Sequence, residues 1–497
     1  MIPPALRPLA LLLATGAAAG ACRPAAAPPA PVPAALEEAE RALLEGRFGA
    51  ARKGLRTLPR AALETREARL RGASAAMKAR EPSLAADILS ADAEEPARLL
   101  RCEALLRSRR FGEARSALDA LPKDGPGNER RRVLGVMLGM LEGRRDEARA
   151  EAAALVREGT LDPDAHVLHA QELTETPAIV ERLLQEALGR VSDRAPVLRA
   201  LGRLLLYVEG NPRRAAEPLE IAVRERPWDR DARLDLATAL RRTGRDGDLA
   251  RAVTQARSLR AEDPSDAEAT LVLAEVLAEG IRSAAAGAGG TGVLRGEAFA
   301  EALALYEELA GRPPAEDPAR AVRVLQGLAR LHVEAILVDD PARATVPGSR
   351  FRRAMETLDR AWALDPEGKL RDGAGVRLSA ETLFLRGKAC KKAHTGDMDH
   401  TLAVGWYEKA LDPRVGGDPR HLEAHWDLGL LYADFLRTPD YIRKARSQFE
   451  DHITERERRG LPPLAPDLLR IVAQVRALAE KGLGLEPGTS LGADPPK

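Results

Sequence analysis

Residues 201–227, "LGRLLLYVEGNPRRAAEPLEIAVRERP", hold one complete structural unit. Gly202 lies inside an apolar helical stretch, "EGNP" at 209–212 forms a turn, and Ala215 and Leu219 stand four apart on a second helix. Pro227 then ends that helix, because proline has no amide hydrogen to continue it. A small residue on the first helix lets the two axes approach, and the Ala/Leu pair interlocks with its partner. The unit is a helix–turn–helix hairpin with its own start and stop.

Used as a ruler, Ala-x-x-x-(large apolar) recurs along most of the chain. It appears as Ala51/Leu55, Ala85/Leu89, Ala114/Leu118, Ala215/Leu219, Ala302/Tyr306, Ala354/Leu358, Ala403/Tyr407 and Ala445/Phe449. Weaker copies stand at Ala148/Ala152, Val180/Leu184 and Ala252/Ala256. The first six intervals are 34, 29, 34, 32, 35 and 37 residues, and the last four are 50, 52, 49 and 42. Upstream small residues recur at Gly202, Ala237, Gly387 and Gly429, and proline breaks close several units. The grammar resembles the tetratricopeptide repeat, W-x2-L-G-x2-Y, then A-x3-F, then P. In "EAHWDLGLLYADF" (423–435), Leu428, Gly429 and Tyr432 match it, while His425 holds the tryptophan slot and Trp426 is shifted by one.

The resemblance implies an all-α, right-handed superhelical solenoid of about eleven repeats over residues 34–455. A capping helix is expected at 465–482 and a disordered tail at 483–497. The change in spacing divides the array into an N-terminal part, 34–260, and a C-terminal part, 261–455, with loop insertions at 283–296, 339–349 and 393–400.

Composition agrees with a folded helical chain: 45% hydrophobic and 30% charged, with no long period-two run of β-branched residues. Seventy-six basic and 75 acidic residues leave a net charge of +1, so nothing calls for a nucleic-acid partner.

Residues 1–21 read as a signal peptide, with Arg7 before an apolar run that is too short to span a bilayer. Cys22 follows the small residues Ala19, Gly20 and Ala21, which resembles a bacterial lipoprotein signal whose cysteine is lipidated. Ordinary signal cleavage at the same bond remains open. Residues 22–33 are a Pro/Ala tether able to hold a domain about 30 Å off a membrane. Arg23 after the cysteine favours, by resemblance, the outer membrane and its periplasmic face. The other cysteines, Cys102 and Cys390, are expected to be free and buried, since the repeat reading sets them seven repeats apart.

Candidate chemistry is sparse. His421 and His425 share one helical face, as zinc ligands can, but the HExxH order of a metalloprotease is missing. Histidines facing solvent or lining a groove are the simpler reading. Cys390 and His394 stand four apart, as a nucleophilic pair can, yet Cys390 falls where its helix packs inward. Neither a catalytic activity nor a metal or cofactor is expected.

The first helices of such repeats line a concave face, so projection from each small residue gives a candidate groove. It contains Arg199, Arg203 and Tyr207 in one repeat, then Arg241 and Arg242 in the next. Phe384, Lys388, Lys391 and Lys392 follow, and then Trp426, Leu430 and Asp434. A basic stripe with exposed aromatics would suit an acidic or C-terminal peptide carboxylate, or a partner helix. Only Phe48, Phe111 and Tyr207 precede Trp228 among the aromatics, which favours the C-terminal third as the partner site.

Signal, tether and array together imply a lipid-anchored periplasmic scaffold for protein–protein interactions in an envelope machine. "AHWDLGLLYADFLRTPDYIRKARSQFEDHI" (424–453) is similar to the tetratricopeptide lipoproteins of myxobacterial adventurous gliding motility. An assembly factor for pili, secretins or outer-membrane proteins is an alternative in the same class. A metal-binding protein or enzyme using His421, His425 and Cys390 is the alternative of another class.

Overall fold

The computed structural model describes residues 34–485 and Leu491, apart from 126, 172–176, 244, 246, 289–295, 314–316, 337–348, 373–374, 394–396, 459–460 and 462. Within them the chain forms twenty-three α-helices, and the only β pairing is an isolated bridge between Arg371 and Arg377. Twenty-two of the helices pair in sequence as eleven antiparallel hairpins, from Ala34–Leu44 with Phe48–Arg56 to Leu422–Leu431 with Pro439–Arg458. A last helix, Pro466–Lys481, packs on the eleventh hairpin and ends at Gly482 in the left-handed region. First helices of consecutive hairpins also pack on one another, which places them on the inner side of a solenoid.

All eleven ruler residues fall on second helices, and each Ala or Val of the ruler and its large or small partner is buried. The reason is steric. A β-carbon built on Gly202 would sit 2.4 Å from Leu219 Cγ, on Gly387 2.6 Å from Tyr407 Cε1, and on Gly429 2.7 Å from Phe449 Cε1. Each glycine therefore leaves the hole that the large residue of its own hairpin fills. Tyr306 instead interlocks with the next hairpin, where a β-carbon on Gly327 would lie 2.3 Å from Tyr306 Cε1. The two best sequence copies share a further feature, a π-helical turn at Leu204–Val208 and at Tyr432–Leu436. It ends the first helix; in the second copy it carries Tyr432, the tyrosine of the motif, while in the first the motif position is Leu205 and Tyr207 lies two residues further on.

Some expected boundaries differ. One hydrophobic cluster joins Leu259 to Leu271 and runs from Ala170 to Ala335, so the core does not break at 260/261. The insertion at 283–296 starts as helix, because Ala267–Ala288 continues through its alanines, and 397–400 opens the helix Asp397–Leu411. Most of 339–349 lies outside the described residues. The tail begins on the fold and not as disordered chain: Leu485 is buried, and its N–H donates to the Arg437 carbonyl at 2.9 Å.

Solenoid repeats ordinarily touch only their neighbours, but here the array closes on itself. Arg52 of the first hairpin bonds Asp263 at 3.2 Å and the Glu262 carbonyl at 2.7 Å, across about 210 residues. Arg80 meets Asp266 at 3.4 Å, Lys78 lies 4.7 Å over the Trp228 ring, and Arg233 lies 5.3 Å over Phe48. Arg80 holds φ 64° at the turn position that glycine fills in other hairpins, such as Gly46 and Gly143. A side chain there costs about 1 kcal/mol, and its contact with Asp266 offsets that cost. The double variant Arg52→Glu, Arg80→Glu puts carboxylates against Asp263 and Asp266. Small-angle scattering is expected to show a larger radius of gyration; an unchanged radius would contradict closure.

Candidate partner-binding groove

The inner face is built by the first helices of hairpins six to eleven: Ala195–Arg203, Arg230–Thr243, Ala267–Ala288, Pro318–Glu334, Leu378–Ala393 and Leu422–Leu431. Charged side chains on it pair from one helix to the next. Arg199 reaches Asp229 at 3.4 Å and Asp231 at 3.5 Å, and Arg203 reaches Asp235 at 3.2 Å. Tyr207 donates to Asp235 at 2.9 Å and lies between two guanidinium groups, Arg203 at 5.4 Å and Arg242 at 5.9 Å from its ring centre. Burial raises the Asp235 pKa more than the neighbouring arginines lower it. Arg241 holds Glu275 at 2.9 Å and Arg323 holds the same carboxylate at 2.8 Å. Burial opposes the Glu275 charge, yet Arg323 and Arg241 outweigh it and keep the pKa below the ordinary range.

Further along, Glu334 accepts from both Lys388, at 3.0 Å, and Lys392. Arg330 bridges two hairpins, bonding Glu381 of the tenth and reaching Glu423 of the eleventh at 3.3 Å. Glu381 also bonds His421 Nε2 at 2.9 Å. The inner face is thus a lattice of opposed charges, not a basic stripe. Among the described residues, Arg242 and Lys391 are the two predicted groove cations with no carboxylate in ion-pair contact.

The C-terminal aromatics are also placed otherwise than expected. Phe384 is only 1% exposed, stacked on Tyr407 at 5.3 Å and against His421 at 5.0 Å, so it is core and not groove. Trp426 is half-buried against Phe449 at 4.9 Å and His452 at 5.2 Å, not an exposed handle. Leu430 and Asp434 are likewise half-buried, and Leu430 packs against the core.

The histidines are structural. His421 is 7% exposed and caps its helix, its Nδ1 accepting from the Ala424 N–H at 3.2 Å. His425 is buried between Gln448 Oε1 at 2.8 Å and the Pro419 carbonyl at 2.7 Å. His452 Nδ1 meets the Leu422 carbonyl at 2.9 Å. The expectation that histidines face solvent or the groove fails here because each completes a backbone or side-chain hydrogen bond at a hairpin entry. Cys102 and Cys390 are buried free thiols, and burial pushes the Cys102 pKa up to about 11. His394 and Cys22 lie outside the described residues.

One buried titratable group escaped sequence reading. His332 is 3% exposed; burial first, then Arg350 and Arg353, lower its pKa to about 4. A depressed histidine pKa contributes stability above the unfolded value of about 6.5 that is lost as pH falls toward 4. Urea unfolding is therefore expected to weaken between pH 6.5 and 4.5, and His332→Gln to flatten that window.

Hairpin pairing, the glycine holes and the inner charge lattice decide the architecture. The fold is a tetratricopeptide-type solenoid. Yeast Tom70 is similar to it at 15% identity and a TM-score of 0.36, covering 90% of this chain and 95% of that one. A human IFIT1 dimer, solved with m7Gppp-AAAA, is similar at 14% identity and a TM-score of 0.39, covering 85% and 89%. No protein-family profile matches the chain, and no curated protein matches it.

Proposed function

We propose that this chain is a protein-interaction scaffold, carried at the periplasmic face of the outer membrane by a lipid on Cys22 and serving an envelope machine such as gliding motility. The observation that supports an interaction role is the continuous inner face of six first helices. Its ion pairs alternate in sign, and Arg242 and Lys391 remain open to a ligand. Such a surface favours a partner segment carrying both charges over a purely acidic peptide, because most of the cations already hold carboxylates.

Crosslinking in intact cells, followed by capture from detergent-solubilised membranes, tests the reading. Recovery of an envelope protein that Arg242→Glu and Lys391→Glu together release is the expected result. Recovery of none, or binding unaffected by that double variant, contradicts it. Intact-mass analysis of the mature N-terminus tests the anchor: diacylglyceryl mass on Cys22 is expected, and an unmodified cysteine overturns it.

A further inference from the structure

Closure of the array encloses space. Hairpins two to seven surround a chamber of 720 Å³, and the Lys78–Trp228 and Arg80–Asp266 contacts form its seam. That volume lies in the range of about 300–1,000 Å³ typical of small-molecule sites. The seam joins residues some 150 to 190 positions apart, so the chamber exists only in the closed array.

The lining has two characters. Seven cations and three carboxylates, Asp164, Asp229 and Asp231, line the chamber, and every cation but Lys78 already holds a carboxylate in or beside the wall. All three carboxylates are already engaged by the wall. Asp164 holds Arg130 at 2.7 Å, Asp229 accepts from the Asp231 and Ala232 N–H groups at the start of a helix, and Asp231 holds Arg230 at 2.9 Å. Lys78 has the Trp228 ring beneath it and, among the described residues, no carboxylate in ion-pair contact. Arg107 is exposed, with Glu103 of its own helix as its partner. Beside these cations, Met77, Met137, Val167 and Leu168 are left partly exposed to the chamber. An inorganic anion would leave that apolar surface wet, and a neutral apolar molecule would leave the Lys78 ammonium without a counter-charge.

We infer that the ring of hairpins two to seven is a binding chamber for one small amphipathic anion, its acidic head at Lys78 and Arg107 and its apolar body against Met137, Val167 and Leu168. The chamber is open on one side, and the seam at Lys78–Trp228 and Arg80–Asp266 gives it the wall that the inner face further along the array lacks. The chamber shares Arg199, Arg203 and Asp231 with the inner face, but its head-group cations, Lys78 and Arg107, stand on hairpins two and three, outside the scaffold surface of hairpins six to eleven, and it takes another class of ligand.

Calorimetric titration of the full chain with decanoate, decyl phosphate, decanol and acetate tests it. Decanoate or decyl phosphate is expected to bind once per chain, with decanol at least about tenfold weaker and acetate not saturating. The tighter of the two acids identifies the head group as carboxylate or phosphate. Lys78→Glu is expected to weaken the acid about tenfold and to leave decanol unchanged. Equal affinity for decanol and the acids, several sites per chain, or no binding of either acid overturns the proposal. The ligand series on the unaltered chain separates these outcomes even if Lys78→Glu opens the seam.

Discussion

Tyr306→Ala is expected to lower stability by about 3–5 kcal/mol, read as a fall in the urea midpoint. Tyr306 is 2% exposed and belongs to the largest hydrophobic cluster. Its ring fills the space over Gly327 on the first helix of the next hairpin, so its loss leaves a cavity at the junction of two repeats. Repeat arrays derive cooperativity from such interfaces, and a cavity there uncouples the neighbours as well as weakening one of them. Hydrogen exchange is therefore expected to rise on both sides of the junction, in Glu297–Ala310 and in Pro318–Glu334. A loss confined to one helix would contradict the interlock.

Arg330→Met is the second large effect, expected to cost about 3–5 kcal/mol at pH 7. Arg330 supports Glu381 and Glu423 from two different hairpins; its removal strands the largely buried Glu381, whereas Glu423 is exposed and keeps its water. In the native chain burial opposes the Glu381 charge, but Arg330 and the His421 hydrogen bond outweigh it and hold the pKa below the ordinary range. That depressed pKa gives stability above the unfolded value of about 4.3, lost as pH falls through the folded one. In the variant only His421 still opposes burial and the Glu381 pKa rises, so the deficit at pH 7 shrinks toward pH 5. Urea midpoints at the two pH values measure it, and a deficit independent of pH would contradict the network.

Much of the hairpin order was legible because it depends on local spacing. Ala403 and Tyr407 stand one helical turn apart, and local spacing alone puts both on the packed side of their helix. Even the degenerate Ala252/Ala256 copy fell on a second helix, since two alanines still mark the close-packed side. The site was less legible. Projection from Gly387 gives the side of the helix for Phe384 but not which aromatics cover it, and Tyr407 of its own hairpin and His421 of the next do. The charge of Arg203 or Lys388 reads as a basic stripe until Asp235 and Glu334 arrive from adjacent helices. Closure was the least legible. The Arg52–Asp263 pair depends on small rotations accumulated over seven hairpins, and no local pattern records their sum.

The central claim is that the large ruler residues Leu219, Tyr306, Tyr407 and Phe449 fill holes left by glycines, and Gly429 with Phe449 tests it most directly. A β-carbon on Gly429 would meet Phe449 Cε1 at 2.7 Å and Cδ1 at 3.0 Å. Alanine also gains about 1 kcal/mol of helix propensity over glycine, which a double-mutant cycle cancels. Gly429→Ala, Phe449→Ala and the double variant are compared by urea unfolding. The account predicts that Gly429→Ala is less costly in the Phe449→Ala background by at least about 1 kcal/mol, because removing the ring vacates the contact. Additive effects would contradict it.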